Sequence, residues 1–234
     1  MSKIVFLTGG TSGYGYATAK RLTGLGYTVI AAARNEEKLK SAKAENAFAD
    51  FVAMDVTKPD DWEKAKKYVL EKYGCPDILI NNAGGGVAIK DTTDQKIEDI
   101  DRTISLNLSS VIYGSKIFGE EMKKNRRGLI INLSSVCARE AWPGWTVYAS
   151  AKWGVLGFSK GLYVELQPFG LRVTCVIPAA ATTGFNSGAG IPDEKHNLTA
   201  GDVAQAIVNV CEMPEHVCVE EITVWGTDQV VNPL

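Results

Sequence analysis

The sequence has little of several features that would assign it at once to a class of protein. It has 234 residues with two histidines and five cysteines, and the cysteines form no C-x-x-C pair. No apolar run approaches the roughly 20 residues that a membrane-spanning helix needs. The formal net charge is −2, so no basic surplus favours nucleic acid or anionic lipid as a partner. These absences argue against a metal site, a membrane protein and a nucleic-acid-binding protein.

Composition and cysteine usage are typical of an intracellular globular protein. Hydrophobic residues make up 45% and charged residues 22% of the chain, close to the average of soluble domains. The short apolar stretch near the N-terminus runs straight into glycines, unlike a signal peptide. The cysteines are odd in number and scattered: Cys75, Cys137, Cys175, Cys211 and Cys218. We therefore expect reduced thiols and a cytoplasmic location.

Short apolar runs alternate with helix-length amphipathic segments along the whole chain. The predicted strands are apolar on both faces, as in a covered parallel sheet: Ile4–Thr8, Thr28–Ala33, Phe51–Met54, Ile78–Ile80, Leu129–Leu133, Arg172–Ile177 and Glu221–Val224. The predicted helices lie at about 14–25, 36–45, 59–72, 95–124, 149–167 and 200–212, and Thr199 with Asp202 forms a capping-box pattern before the last one. The alternation predicts an α/β fold: a single doubly wound parallel sheet of Rossmann type, with helices on both faces, in one domain over 1–234.

A glycine-rich segment stands between the first predicted strand and the first predicted helix. Backbone amides can approach a pyrophosphate closely only where side chains are absent, and a helix N-terminus aimed at it favours the negative charge. The spacing is Gly-x3-Gly-x-Gly, and a merely tight strand-to-helix turn is the alternative. The predicted cofactor-binding residues are Gly9, Thr11, Ser12, Gly13, Tyr14 and Gly15.

The ends of the next strands supply further candidates for cofactor binding. Ala33 occupies the position where an acidic residue would hold a ribose 2′-hydroxyl, and Arg34 follows it. A guanidinium can grip a 2′-phosphate, so NADP(H) is favoured over NAD(H), the alternative being a solvated arginine that opens a charged helix. Asp55 and Val56 are placed to meet the adenine. Small residues in Asn82-Ala83-Gly84 let the backbone close on the cofactor.

A Tyr-x-x-x-Lys pair on a helix puts an ammonium one turn from a phenol, where it favours the phenolate. The pattern occurs three times, as Tyr16–Lys20, Tyr68–Lys72 and Tyr148–Lys152. The first pair lies just behind the glycine-rich segment, and the second lies on a charged helix. The third opens a helix after a strand at the ligand edge, and it is the predicted acid–base pair.

A serine at the end of the fifth predicted strand stands thirteen residues before that tyrosine. The hydroxyl of Ser135 can hydrogen-bond a substrate carbonyl while Tyr148 donates its proton. Ser134 is the competing candidate, and the spacing favours Ser135. A nucleophilic serine is disfavoured because neither histidine, His196 or His216, is near in sequence.

Taken in order, these motifs resemble the short-chain dehydrogenase/reductase family, single-domain branch. The residues that carry the resemblance are Thr8-Gly-Gly-Thr-Ser-Gly-Tyr-Gly, Asn81-Asn-Ala-Gly, Asn107, Ser135 and Tyr148-x-x-x-Lys152. It implies that Tyr148 is the general acid/base, that Ser135 positions the carbonyl, and that Lys152 holds the nicotinamide ribose and lowers the tyrosine pKa. It also implies that Asn107 anchors a water in a proton relay. A homodimer or homotetramer built on the helices at 95–124 and 149–167 is a further implication.

The chain departs from the family pattern after the sixth predicted strand. The family usually has Pro-Gly there and a threonine four residues beyond the glycine. Here Pro178 precedes Ala179, and Thr183 fills the threonine place. The added methyl is expected to tighten the turn, and Pro178 and Thr183 are kept as candidate cofactor-binding residues.

The substrate is only loosely defined by the sequence. Segment 184–198 lacks periodicity and is expected to be a short substrate lid. Trp142 and Trp145 either wall the pocket or pack elsewhere, while Arg139 and His196 are interpreted as loop residues. The C-terminal part is similar to the branch acting on serine and small 3-hydroxy acids.

Together these features predict an NADP(H)-dependent oxidoreductase that interconverts a small carbonyl compound and its alcohol by hydride transfer. Two alternatives remain open. One is an NADP(H)-binding regulatory protein without turnover, and the other is an NAD-dependent alcohol dehydrogenase of the same family.

Overall fold

The computed structural model describes residues 2–183, 185 and 197–229. Its seven strands are β1 (Ile4–Thr8), β2 (Thr28–Ala33), β3 (Asp50–Ala53), β4 (Ile78–Asn81), β5 (Gly128–Leu133), β6 (Leu171–Pro178) and β7 (Glu221–Val224). Its α-helices are α1 (Gly13–Gly24), α2 (Glu36–Ala44), α3 (Pro59–Tyr73), α4 (Ile97–Ile104), α5 (Ser110–Asn125), α6 (Thr146–Leu166) and α7 (Ala200–Glu212). All seven predicted strands are present, with bounds within one or two residues of those expected.

The strands form one sheet in the order β3-β2-β1-β4-β5-β6-β7, and every neighbouring pair is parallel. Alternate side chains of β1 show why both faces must be covered, since Val5 and Leu7 pack in one core and Phe6 in the other. The first core includes α1, α2 and α7, and the second includes α3 and α5. The prediction of a doubly wound parallel sheet with helices on both faces is confirmed.

The chain order reverses between β1 and β4, which lie side by side although two strands separate them in sequence. In open α/β sheets the carboxyl ends of strands beside such a switch point leave a crevice for a ligand. The glycine-rich turn follows β1 and the Asn-Ala-Gly segment follows β4, so both sets of candidate residues lie at this crevice.

The helix predicted over 95–124 is two α-helices joined by one wide turn. Residues Ser105–Ser109 form a single π-helical turn between α4 and α5, with Asn107 at its centre. Such turns are rare and occur often at functional sites. The three segments follow one another without a loop, so the predicted single helix differs from the structure in this turn and in its start, which lies at Ile97.

The predicted capping box at the start of α7 is confirmed. The Thr199 side chain accepts from the Asp202 N–H, and the Asp202 carboxylate accepts from the Thr199 N–H at 2.9 Å. In the part of the chain that the structure describes, no helix has the length and apolar character needed to cross a membrane.

Candidate active site

The turn between β1 and α1 is shaped to receive an anion. Gly9 and Gly13 have φ angles of +74° and +52°, in the left-handed region that favours glycine. Ser12 precedes α1 without making a side-chain capping hydrogen bond, and the first helical turn holds no acidic residue. The N–H groups at this helix end therefore point outward with a partial positive charge. The residues present fit the pyrophosphate of a dinucleotide, and the six residues predicted for it lie in the turn and at the start of α1.

Asn82 ties this turn to the end of β4. Its Nδ2 donates to the Thr8 carbonyl oxygen at 2.8 Å, and the Thr8 hydroxyl accepts from the N–H groups of Asn82 and Ala83 at 3.1 and 3.0 Å. A Cβ at Gly15 would lie 2.2 Å from the Gly9 carbonyl oxygen and 2.4 Å from Asn82 Nδ2, so a side chain cannot be accommodated there. The two strand ends are thus held close together at the crevice.

The residues predicted for the adenosine end lie after β2 and β3, which are adjacent. Arg34 follows β2 and is exposed, so its guanidinium can reach a ligand phosphate. The Asp55 carboxylate accepts from the N–H and hydroxyl of Thr57 at 3.0 and 2.8 Å. Val56 is buried, and its carbonyl accepts from Trp62 Nε1 at 2.8 Å. These hydrogen bonds hold the segment after β3 in place.

The turn after β6 packs against the glycine-rich turn. Pro178 ends β6, and Ala179 is 5% exposed. The Tyr14 hydroxyl donates to the Ala179 carbonyl oxygen at 3.4 Å. A Cβ at Gly13 would lie 3.7 Å from Thr183 Cβ, so Thr183 stands beside the predicted phosphate site. Ala179, whose methyl group replaces the hydrogen of the usual glycine, is buried. The Tyr14 hydroxyl holds the carbonyl of the same residue.

The loop that follows has its two ends fastened together. Thr182 donates its N–H to the Leu198 carbonyl at 3.2 Å and forms a parallel bridge with Thr199. Gln229 donates from its side-chain amide to the Ala180 carbonyl at 2.7 Å. Hydrogen bonds to the rest of the protein thus hold the chain at both ends of the predicted lid. Within the lid, the described residues are 185, 197 and 198, and His196 lies outside them.

Ser135 and Ser134 have different surroundings. The Ser134 hydroxyl is buried and donates to the Lys152 carbonyl oxygen at 2.9 Å. The Ser135 hydroxyl accepts from the Cys137 N–H at 3.2 Å, and it lies near enough to Tyr148 to act on the pKa of that phenol. Ser135, not Ser134, therefore has its hydroxyl beside the tyrosine.

Tyr148 and Lys152 lie in the first two turns of α6 and are both buried, with 7% and 4% exposure. Lys152 Nζ lies 5.6 Å from the centre of the Tyr148 ring and donates to the Leu133 carbonyl at 2.9 Å. Burial raises the pKa of Tyr148 above its usual value; Cys137 adds to the rise, and the Ser135 hydrogen bond opposes it. Burial lowers the pKa of Lys152 to about 8. At neutral pH the phenol is therefore protonated and able to act as an acid. The expectation that Lys152 lowers the pKa of Tyr148 is not met, because burial dominates and the pKa is raised.

Asn107 is fully buried and its side chain is bonded to backbone. Nδ2 donates to the carbonyls of Gly85 and Thr103 at 2.9 and 3.0 Å, and Oδ1 accepts from the Gly85 N–H at 3.0 Å. A Cβ at Gly84 would lie 2.9 Å from Asn107 Oδ1. The side chain thus fixes the segment that leaves β4, and anchoring of a water by this residue stays a prediction.

The other two Tyr-x-x-x-Lys pairs lie elsewhere. The exposed Tyr16 hydroxyl donates to Glu45 at 2.7 Å. Tyr68 and Lys72 both bond the Asp50 carboxylate, at 2.6 and 2.7 Å, at the opposite end of the sheet strands. These pairs serve packing and charge pairing.

Aromatic side chains line the space beside Tyr148. The ring centres of Trp145 and Phe185 lie 5.6 Å from that of Tyr148 and 6.2 Å from each other. Trp142 and Cys137 belong to the same cluster. The two tryptophans predicted as pocket candidates are therefore beside the tyrosine. Cys137 and Phe185 were missed, although Cys137 follows Ser135 by two residues and Phe185 is a large apolar residue at the start of a polar loop.

A parallel α/β sheet that brings a glycine-rich turn and a Ser-Tyr-Lys set to one edge is typical of nucleotide-dependent oxidoreductases. Residues 3–191 match the family model described as short chain dehydrogenase, and the chain belongs to that family. This confirms the family identified from the motifs.

Relatives and solved structures agree with this assignment over nearly the whole chain. An uncharacterised oxidoreductase of Staphylococcus aureus is 32% identical, with 95% of this chain and 96% of the relative covered. An alcohol dehydrogenase from the archaeon Thermococcus sibiricus, complexed with 5-hydroxy-NADP, has a TM-score of 0.89 at 26% identity and full coverage of both chains. A closed form of serine dehydrogenase complexed with NADP+ has a TM-score of 0.92 at 26% identity, covering 99% of this chain and 98% of that one.

Proposed function

We propose that this short-chain dehydrogenase is NADP(H)-dependent and interconverts a small carbonyl compound and its alcohol, with Tyr148 as the general acid/base. The observation that carries the proposal is the meeting of Ser135, Tyr148 and Lys152 beside the uncapped N-terminus of α1. NADP-bound structures among the similar proteins support the choice of cofactor.

The proposed chemistry assigns one task to each side chain. When bound, NADPH supplies the hydride that is added to the carbonyl carbon. The Ser135 hydroxyl donates a hydrogen bond to the carbonyl oxygen, and Tyr148 gives that oxygen its proton. The Lys152 ammonium stabilises the phenolate that forms, and it holds the nicotinamide ribose. In the oxidation direction the phenolate takes the alcohol proton.

Replacing Tyr148 with phenylalanine tests this assignment. Tyr148→Phe removes the proton donor and is expected to lower kcat by about 100-fold or more, the usual contribution of a positioned acid. NADPH binding, measured by fluorescence titration, should stay within about twofold. Tyr16→Phe is the matched control, because Tyr16 belongs to another Tyr-x-x-x-Lys pair and its hydroxyl bonds Glu45. Retained turnover in Tyr148→Phe would refute the assignment.

The two alternatives make different predictions. A regulatory protein without turnover would bind NADPH and reduce no carbonyl compound in a broad panel. An NAD-dependent alcohol dehydrogenase would show a higher kcat/KM with NADH than with NADPH. The exposed Arg34 at the end of β2 favours NADPH.

We also propose that two or more copies associate through α5 and α6. Trp153 and Val164 are 53% and 73% exposed on α6. Gly157 and Gly161 lie on the same side of the helix, and a Cβ at either would meet no atom of the described residues within 4 Å. An apolar stripe with glycines at this spacing suits close packing against the same helix of a second copy.

A cytoplasmic location stays part of the proposal. It is supported by the five cysteines, all of which lie within the described residues and none of which forms a disulfide there.

A further inference from the structure

The rings of Trp145 and Phe185 form an apolar surface beside Tyr148, which we call the wall. The Trp145 and Phe185 planes are inclined by 13° to each other, whereas each stands at 67–74° to the Tyr148 ring. Distances of 5.6–6.2 Å between ring centres are those of rings in contact. Ile89 and Trp142 extend the same apolar surface. A substituent of a bound carbonyl compound that turns toward these rings therefore meets an apolar surface.

The described side chains that form this surface are Ile89, Cys137, Trp142, Trp145 and Phe185, and all of them are uncharged. Arg139, the nearest arginine in sequence to Tyr148, is paired with Glu221, which also pairs with Lys160. Burial raises the pKa of the Cys137 thiol, so it stays neutral. Lys152 is buried beneath the tyrosine and is held by the Leu133 carbonyl.

These surroundings are unfavourable for an acidic substrate. A carboxylate that leaves water without a cationic partner loses its hydration and gains nothing in return. An aromatic or branched apolar group gains from burial and from ring contacts in the same position. Serine and 3-hydroxy acids carry a carboxylate close to the reacting carbon, and Arg139 already pairs with Glu221.

We propose that the substrate is an uncharged carbonyl compound with an aromatic or branched apolar group next to the carbonyl, and that Trp145 and Phe185 select it. This inference rests on the proposed function. The balanced reaction is ketone plus NADPH plus a proton, giving secondary alcohol plus NADP+. A C–H bond forms at the carbonyl carbon by hydride transfer, an O–H bond forms with the Tyr148 proton, and a solvent proton restores the phenol.

A matched substrate pair tests the inference. Methyl benzoylformate and benzoylformate share the aryl ketone and differ in whether the neighbouring group is a neutral ester or a carboxylate. We expect kcat/KM with NADPH to favour the ester by about 100-fold, and isopropyl methyl ketone to be favoured similarly over pyruvate. Equal values, or a preference for the acids, would overturn the inference and leave the proposed function intact. Absence of turnover with every carbonyl compound, with NADPH still bound, would overturn both.

Variants of Trp145 test whether this residue selects the substrate, separately from any effect on folding. Trp145→Ala should lower the ester-to-acid ratio about tenfold, whereas Trp145→Phe should keep it within about threefold. Trp145→Arg introduces a cation on the wall and should reverse the preference toward benzoylformate. Leu25→Ala, which truncates an exposed side chain at the end of α1, is the control and should leave both substrates unchanged. NADPH affinity and circular dichroism report whether each variant is folded. Trp145→Arg that is folded but keeps the wild-type ratio would also count against the inference.

Discussion

Replacing Asn107 with alanine removes three hydrogen bonds that fix the segment leaving β4. Two of them go to the N–H and C=O of Gly85 and one to the carbonyl of Thr103, at 2.9–3.0 Å. Each buried neutral bond contributes about 1 kcal/mol, so we expect Asn107→Ala to lower the free energy of unfolding by about 3 kcal/mol. Because Gly84 and Gly85 also border the proposed cofactor site, the Kd for NADPH should rise about tenfold, equivalent to about 1.4 kcal/mol.

Urea unfolding and fluorescence titration with NADPH measure these two quantities. Asn125→Ala is the matched control, because Asn125 is exposed on α5 and its Nδ2 donates to the carbonyl of Glu121 in its own helix. Its effect should stay within about 0.5 kcal/mol. A residue that served only to anchor a relay water would lower kcat and leave stability and Kd unchanged. That result for Asn107→Ala would refute the positioning role deduced from its contacts.

Four further predictions concern other parts of the molecule. Arg34→Ala should raise the KM for NADPH about 10- to 100-fold, the range expected when hydrogen bonds to a phosphate are lost. The KM for NADH should stay nearly unchanged, and equal effects on the two cofactors would argue against a preference for NADP(H). The reduction rate should fall as pH rises through about 8, where Lys152 loses its charge, and a profile flat to pH 10 would contradict this. Asp50→Asn should lower the free energy of unfolding at pH 7 by about 2 kcal/mol in urea titrations. An equal loss at pH 3 would be inconsistent with pairing of the Asp50 carboxylate with Lys43 and Lys72. Gly161→Leu should shift the sedimentation coefficient toward a smaller assembly, and an unchanged value would exclude packing at that glycine.

The sign of the Asp50 prediction follows from its contacts. Burial alone would raise the pKa of Asp50, but hydrogen bonds from Lys72, Tyr68, Lys43 and Tyr73 outweigh it and hold the pKa well below its usual range. The folded state therefore favours the carboxylate. The resulting stability is present above the ordinary pKa of about 4 and is lost as pH falls below it, so wild type and Asp50→Asn should converge in acid.

Most of the fold could be predicted because its signals are local and repeated. Apolar runs such as Ile4–Thr8 admit only a strand buried on both faces, and the Thr199–Asp202 pair fixes where α7 begins. The wide turn at Ser105–Ser109 could not be predicted, since no residue type in this segment marks a π-helical turn as glycine or proline marks other breaks.

The candidate site divides in the same way. Glycine spacing and the Tyr148–Lys152 interval are sequence patterns, and the structure brings them to one edge of the sheet. The contacts that separate Ser135 from Ser134 depend on which way each hydroxyl faces as β5 ends, and this is a tertiary property. The pairing of Arg139 with Glu221 joins residues 82 positions apart, and no local pattern predicts it.

Residue 182 is bonded to residues 198 and 199, so the segment between them can be exchanged as a unit. Because the bridge and the Gln229 contact close the loop at its base, an insert of another length adds a loop-closure cost of about 0.6 kcal/mol for each doubling of length, apart from the contacts of Phe185 with Trp145 and Tyr148. Segments exchanged between members of the family at these two points could therefore change the substrate range while the sheet, the glycine-rich turn and the proton-transfer residues stay as they are.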